Sequence, residues 1–392
     1  MKRVLVIGAG LSGLATACAL SDAGFAVTVV EASGRPGGLI GTTRTAQGLV
    51  ERAANAFVWN EVSEGWFRRI GVTPVFPKRE SRRRFIFARG RARRWPLTLR
   101  ETAVAGARIG AALARRRLRP QAGESVAAFG DRLGGKAMTQ SLLGPAFQGI
   151  YGAQPHELSA SAIFGKRRGR RGVLAAPANG MGAFIDALCR RLADRGVPVR
   201  FRTPIDLLDS KGPTVVCTSV AAAARLLRHH APGLSRAMAS TKMTGSVTAT
   251  SFFSPHHDDL QGFGVLFPRS CGVDALGVLF NTSIFDGRGP LRSETWIYPG
   301  PLADADDAHV TRRLTADRMI LTGRDAAPIA VAVTRHDPAL PVYGDSIASI
   351  NQGLTELPSW LRVSGNYLGQ IGVTHLLARA DAIAADVSKA WA

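Results

Sequence analysis

With 392 residues, 46% of them hydrophobic, the chain is long enough for two or three domains with cores of their own. Its cysteines, Cys18, Cys189, Cys217 and Cys271, are far apart and form no CxxC pair. That argues against a disulfide framework or a thiolate metal site and for a reducing, cytoplasmic setting. The net charge of +21 is concentrated between residues 78 and 171, where 22 Lys and Arg stand against 5 Asp and Glu, and no run of about 20 apolar residues offers a membrane span.

Val4 to Ile7 is a β-branched run that predicts a buried parallel strand, and its apolar start reads as this strand rather than as a secretory leader. The loop Gly8-Ala9-Gly10-Leu11-Ser12-Gly13 then opens a helix of small residues, and Ala26 to Val30 predicts the second strand. Gly8 permits a sharp turn, while Gly10 lets a pyrophosphate approach the backbone where unpaired N–H groups and the helix dipole favour anions. Gly13 allows close packing of helix on sheet. Glu31 follows Gly10 by 21 positions and is placed to accept ribose hydroxyls. The acid disfavours a 2′-phosphate, so NADP is not expected. A second glycine pair follows in Glu31-Ala32-Ser33-Gly34-Arg35-Pro36-Gly37-Gly38-Leu39, with Arg35 adding a cation, which suits the longer cofactor FAD better than NAD.

Further along, a short helix is expected around Trp66. Phe85 to Phe87 and Arg91 to Trp95 predict a hairpin across Ala88-Arg89-Gly90. Leu97 to about Phe164 reads as helical, broken at Pro120, Gly134-Gly135 and Pro155. Within it, Leu97 to Leu118 interleaves Leu99, Val104, Ile109 and Leu113 with Arg100, Arg108 and Arg115 to Arg117, as a helix adsorbed to an anionic membrane surface would, or as one packed on its own domain would. Nucleic acid is not the expected partner, because no nucleic-acid module or aromatic interleaving accompanies the charge.

A helix is predicted over 182–195, strands over 198–201 and 214–217, and a helix over 220–227. Residues 243 to 335 read as a mostly β region with one helix from His309 to Leu321. Trp360 to Val363, a loop and a helix reaching Ala390 return the chain to the nucleotide domain. The expected class is therefore α/β. A Rossmann-like FAD-binding domain is assembled from 1–78, 172–222 and 336–392, with a basic helical domain over 79–171 and an α+β substrate domain over 223–335. The stretch Ser254-Pro255-His256-His257-Asp258-Asp259 reads as a turn rather than a metal site, since adjacent ligands rarely close one tetrahedron.

The opening fingerprint, together with four separated stretches, resembles the protoporphyrinogen oxidase family within the FAD-linked amine oxidases. These are Glu124 to Ser159 with Pro145-Ala146-Phe147-Gln148-Gly149-Ile150-Tyr151-Gly152, Gly262 to Pro268 with Leu276 to Val278, Leu340 to Tyr343, and Gly365 to Val373. The resemblance implies an enzyme that uses FAD and O2 to remove six electrons from a porphyrinogen in three rounds, giving a porphyrin and hydrogen peroxide. Protoporphyrinogen IX is the first expectation and coproporphyrinogen III the second, depending on whether the cations of residues 79–94 serve two propionates or four.

By the same resemblance, Arg84 pairs with a substrate propionate, Phe263 and Leu266 sandwich the macrocycle, and the bare backbone at Gly149 admits its edge. Ala53, Ala54, Asn55 and Ala56 form the loop under the cofactor, although the family usually has Gly-Pro there. Ile371, Gly372, Val373 and Thr374 open the helix whose positive end faces the flavin. No side chain is expected to act as an acid, base or nucleophile, and no metal is expected. The segment 206–214 is too short for the β-meander of relatives, so a more open adenine side is expected. Another flavin oxidase of amines or hydrocarbons, and a non-catalytic member that has lost its flavin, are the competing readings; a homodimer is compatible with either.

Overall fold

A computed structural model describes residues 2–165, 173–208, 212–256, 259–369 and 371–390. In chain order the elements used below begin with β1 (Arg3–Ile7), α1 (Leu11–Asp22), β2 (Ala26–Val30), α2 (Glu61–Arg69), β3 (Arg84–Ala88) and β4 (Arg91–Arg93). Helices α3 (Leu99–Ala114), α4 (Val126–Gly134), α5 (Gly144–Tyr151) and α6 (Met181–Asp194) follow. Then come β5 (Val199–Arg200), β6 (Thr214–Val216), β7 (Met243–Phe253), β8 (Gly264–Leu266), β9 (Gly277–Phe280) and β10 (Arg292–Pro299). The chain ends with α7 (Asp307–Thr322), β11 (Ala330–Pro341), β12 (Leu361–Val363) and α8 (Val373–Ala390).

Two sheets organise the molecule as an α/β fold. The first is parallel throughout, ordered β5-β2-β1-β6-β12, and drawn from both ends of the chain. Its strands are short β-branched runs because both faces are covered. On one face Val4, Val6, Val27 and Val29 pack with α1, α6 and α8; on the other, Ile7, Val216, Leu361 and Val363 pack with the helices Val220–Leu227 and Pro232–Ala239. Among the described residues of 201–213, between β5 and β6, no strand forms. Residues 209–211 lie outside the described set.

The second sheet has the order β11-β7-β10-β9-β8-β3-β4 and is antiparallel except where β8 runs beside β3. One face buries Phe87, Val265, Phe267, Trp296 and Tyr298 against α7. The period-2 alternation of strands therefore turns Arg84, Ile86, Gly264 and Leu266 to the opposite face. Arg89 and Gly90 make the β3–β4 turn with φ of 52° and 71°, the left-handed pair that a two-residue hairpin needs.

Two expected borders are redrawn by this sheet. Residues 84–93, assigned to the basic helical domain, are edge strands of the substrate sheet, because β3 finds its partner in β8 about 180 residues later. Likewise β11 runs through the border at 335, pairing Val331 to Leu340 with β7. Helix α3 buries only Ala105, while Leu99 is 92% exposed and Val104, Ile109 and Leu113 are exposed with it. The four apolar residues spread around the helix rather than forming one stripe, and Arg108 donates to the Asp131 carbonyl of α4 at 3.0 Å, which ties the helix to its neighbour. Among the described residues no helix is long and apolar enough to cross a membrane. The basic cluster Lys166 to Arg171 lies outside the described residues.

Candidate functional site

The nucleotide fingerprint folds into two glycine loops laid backbone to backbone. Gly8 has φ +104°, and a Cβ there would meet the Cys217 carbonyl oxygen at 2.6 Å. A Cβ on Gly13 would lie 1.8 Å from the Gly8 oxygen, so α1 can start this close to the sheet only without a side chain. Gly37 N–H donates to the Ala9 carbonyl at 2.8 Å and pairs Gly37 with Gly10 in an isolated bridge. Gly38, at φ +60°, would bring a Cβ within 3.3 Å of the Gly10 Cα. Ala9, Leu11 and Ser12 are buried in the turn, whereas Gly38 and Ala32 are exposed and Leu39 is half-buried.

Glu31 sits where its spacing from Gly10 placed it. Its carboxylate accepts the Ala9 N–H at 2.7 Å and the Ser33 N–H at 2.8 Å, one on each oxygen. Each oxygen retains a second lone pair for an outside donor, which is what two ribose hydroxyls require. Arg35 folds onto its own loop, donating to the carbonyls of Gly38 at 2.7 Å and Pro36 at 3.2 Å. It braces the second glycine loop as well as placing a charge beside it.

Two further groups were not legible in the sequence. Burial, followed by the nearby Arg52 guanidinium, pulls Arg35 below the ordinary arginine range. His336, on β11, hydrogen-bonds the Arg52 carbonyl at 3.0 Å and is held below the usual histidine value, first by burial and then by Arg52 and Arg35. Arg35 and Arg52 therefore form a cationic pair next to the glycine loops, with His336 beside them as a ring whose neutral form they favour. Since 284 residues separate His336 from Arg52, no local pattern could have announced it.

The loop Ala53 to Ala56 is half-buried and bridges the two halves of the site. Ala54 packs on the core of the parallel sheet, and Ala56 joins a small cluster with Ile284, Phe285, Leu279 and Phe263. Asn55 turns its amide back to the Ala53 carbonyl at 3.3 Å. Ahead of this loop, Glu51 is a buried carboxylate. It accepts the Met181 N–H at the start of α6, the Thr42 hydroxyl at 2.6 Å and Arg288 at 2.9 Å. Burial raises Glu51 and lowers Arg288 despite the pairing.

At the start of α8, Val373 packs on the same core as α1, Ile371 packs on the helical cluster of α4 and α5, and the buried Thr374 donates its hydroxyl to the Val58 carbonyl at 2.9 Å. Thr374 thereby anchors the helix entry rather than offering its hydroxyl to a ligand. Gly372 approaches His375, its Cβ position being 3.2 Å from that ring.

The four residues expected to touch substrate come together on one face of the second sheet. Arg84 lies with its guanidinium carbon 4.5 Å from the centre of the Phe263 ring. In the β3–β8 ladder Arg84 stands opposite Gly264, and Ile86 opposite Leu266. Gly149, from α5, faces Leu266 so closely that a Cβ would be 2.8 Å from its Cδ2. Residues 84, 149, 263 and 266 thus converge from three separate segments, and Phe263 ties them to the cofactor loop through its contact cluster with Ala56.

A family model described as flavin containing amine oxidoreductase matches residues 11–290. The chain belongs to that family. As a flavin containing amine oxidoreductase it is an FAD-dependent oxidoreductase, and the cradle described above fits the cofactor. The bare Gly10–Gly38 approach and the start of α1 would take the diphosphate, Arg35 and Arg52 would balance its charge, and Glu31 would take the ribose. When bound, FAD supplies two-electron acceptance and reoxidation by an external acceptor.

Among its relatives is the coproporphyrinogen III oxidase of Propionibacterium freudenreichii subsp. freudenreichii, 25% identical over 95% of this chain and 88% of that one. Another is the chloroplastic protoporphyrinogen oxidase of Oryza sativa subsp. japonica, 26% identical over 73% and 67%. A solved structure from Exiguobacterium sp. 255-15, provisionally assigned as a protoporphyrinogen oxidase, superposes with a TM-score of 0.83 at 17% identity, covering 99% of both chains. At that identity the superposition shows the fold alone.

The turn read at Ser254 to Asp259 is partly described. The Asp259 carboxylate is engaged by Arg292 at 3.5 Å and Arg324 at 3.3 Å, and it accepts the His256 N–H at 2.9 Å; His257 and Asp258 lie outside the described residues.

Proposed function

We propose that this flavoprotein oxidises a porphyrinogen to the corresponding porphyrin. The observation that carries the proposal is the convergence of Arg84, Gly149, Phe263 and Leu266 on the sheet face that meets the cofactor loop. A flat, apolar, carboxylate-bearing macrocycle needs what that face provides: an apolar wall where Leu266 lies against Gly149, an aromatic ring, and a guanidinium at the rim. The named activities of the two sequence relatives support the same substrate class.

The protein's share of the work is positioning. The meso C–H bonds of a porphyrinogen are activated by the pyrroles on either side, so the enzyme must bring a reacting carbon to the cofactor and exclude competing geometries rather than supply a strong base. Leu266, seated on Gly149, forms an apolar wall for the ring, and Arg84 sets the register of the ring by holding an acidic arm at its edge.

An amine oxidase is the second reading, since the family name embraces it and the chain holds an edge-to-face Tyr151–Tyr343 pair at 5.3 Å. Tyr343 is 1% exposed and donates its hydroxyl to the Asn366 carbonyl, so this ring is spent on the core and does not present a cage to a small cation.

Anaerobic mixing of the yellow holoenzyme with protoporphyrinogen IX, coproporphyrinogen III and a set of primary amines distinguishes the readings. Flavin bleaching by a porphyrinogen, followed by porphyrin fluorescence on admitting air, is expected. Bleaching by amines alone, or by none of them, would reject the proposal. Arg84→Ala should raise KM with FAD retained. Adsorption to anionic membrane through α3 is the setting we propose for the exposed apolar and basic residues of that helix; co-sedimentation with phosphatidylglycerol vesicles, lost at high salt and in Leu99→Glu/Leu113→Glu, tests it.

A further inference from the structure

Next to the Gly149–Leu266 contact the described residues enclose a cleft of about 490 Å³ that the reading above leaves unused. Asp131 of α4, Lys136, Gln148 of α5, His156 and Arg269, in the turn after β8, all line it. Its walls continue the substrate residues directly, for Gln148 precedes Gly149 in α5 and Arg269 follows Leu266 by three positions. Lys136 and Arg269 are exposed cations, and Asp131 is the acid among the lining residues.

Gln148 gives an independent sign that the cleft takes a polar occupant. Its side chain is 6% exposed, and its amide nitrogen donates to Gln154 Oε1, yet its own Oε1 finds no donor in the protein. A buried acceptor left in that state is costly unless whatever fills the cleft brings an N–H or an ordered water.

We infer that this cleft receives the acidic arms on the edge of the macrocycle remote from Arg84, so that the enzyme holds carboxylates at two poles. The inference rests on the porphyrinogen reading and narrows it. Gly264, opposite Arg84 in the ladder, lies five residues before Arg269, so the two are at most about 17 Å apart, within the span of a tetrapyrrole and its arms. Lys136 and Arg269 supply the charge, and Gln148 Oε1 takes a hydrogen from a bridging water that gives its other hydrogen to a carboxylate. A substrate with four carboxylates, such as coproporphyrinogen III, engages both poles. Protoporphyrinogen IX, with two on one edge, engages only Arg84.

The test uses the FAD-loaded enzyme and its Lys136→Ala/Arg269→Ala and Arg269→Glu variants, each checked for native melting temperature and flavin content. Both side chains are exposed, so folding should be unaffected. Anaerobic flavin reduction is followed with each porphyrinogen over a range of concentrations. The expected result is a KM for coproporphyrinogen III raised at least tenfold, kcat within twofold, and a KM for protoporphyrinogen IX changed less than twofold. Equal effects on the two substrates, or none on either, overturn the inference while leaving the porphyrinogen reading intact. A wild-type enzyme inert towards both overturns the two together.

Discussion

Replacing Gly149 with alanine probes the Gly149–Leu266 contact with a single methyl group. The new Cβ would stand 2.8 Å from Leu266 Cδ2, whereas apolar carbons rest at about 3.5 to 4.0 Å, so Leu266 or α5 must yield by roughly 0.7 to 1.2 Å. The atom in the way is the end of a flexible side chain, so folding should cost less than about 1.5 kcal/mol and the melting temperature should barely move. The apolar wall cannot absorb the shift so easily, because Leu266 already lies against Gly277, where a Cβ would be 3.2 Å from the same methyl. A displacement of this size at a surface that positions the reacting carbon is expected to lower kcat/KM by about 10- to 100-fold. Stopped-flow flavin reduction measures this directly, with FAD content and thermal unfolding as controls. Leu266→Ala removes the obstructed methyl, and the double variant should recover most of what Gly149→Ala loses, a non-additivity expected of residues in contact. If Gly149→Ala keeps its FAD, melts normally and turns over substrate at the wild-type kcat/KM, the contact between α5 and β8 is not on the substrate path.

Other perturbations read other parts of the site. Glu31→Gln turns an amide donor towards the Ala9 or Ser33 N–H, and FAD should dissociate at least tenfold more readily in ultrafiltration, with the apoprotein still folded. Removing one partner of the buried Glu51–Arg288 pair, as in Glu51→Ala, should cost about 3 to 5 kcal/mol in denaturant unfolding; Glu51→Gln/Arg288→Met should cost much less, since no uncompensated charge stays inside. Burial holds both His336 and His375 below the ordinary histidine value, so the unfolded chain takes up their protons at a pH where the native protein does not. Stability should be flat above about pH 7 and fall as the pH drops through about 6.5, and His336→Gln should flatten part of that decline in melting temperature. Burial pushes the thiols of Cys18 and Cys217 up to about 12 and that of Cys189 to about 11, so a thiol reagent at pH 8 should label the denatured chain promptly and these three native thiols slowly.

The cofactor half of the protein was legible because its constraints are local. Gly8, Gly13, Gly37 and Gly38 are each demanded by a backbone conformation or a close approach, Gly10 leaves its backbone bare beside them, and Glu31 follows a strand whose length fixes its position. Amphipathic helices and β-branched strands announced themselves by period in the same way, and helix 220–227 has the bounds its pattern predicted. Strand β11 escaped notice because Thr334, Arg335 and His336 interrupt its apolar alternation, and its pairing with the long β7 is what holds it extended.

By itself, then, the sequence determined a dinucleotide fingerprint, the choice of an FAD-type cradle and the rough register of most elements, since each depends on residues within one or two turns of chain. Only the tertiary structure decided that residues 84–93 belong to the substrate sheet, that Arg52 and His336 join Arg35 beside the glycine loops, that Gly149 meets Leu266, and that Lys136 and Arg269 open onto one cleft. Those meetings are made by a parallel β3–β8 ladder and by helix packing across roughly 60 to 300 residues, where side-chain proximity leaves no periodic trace in the chain.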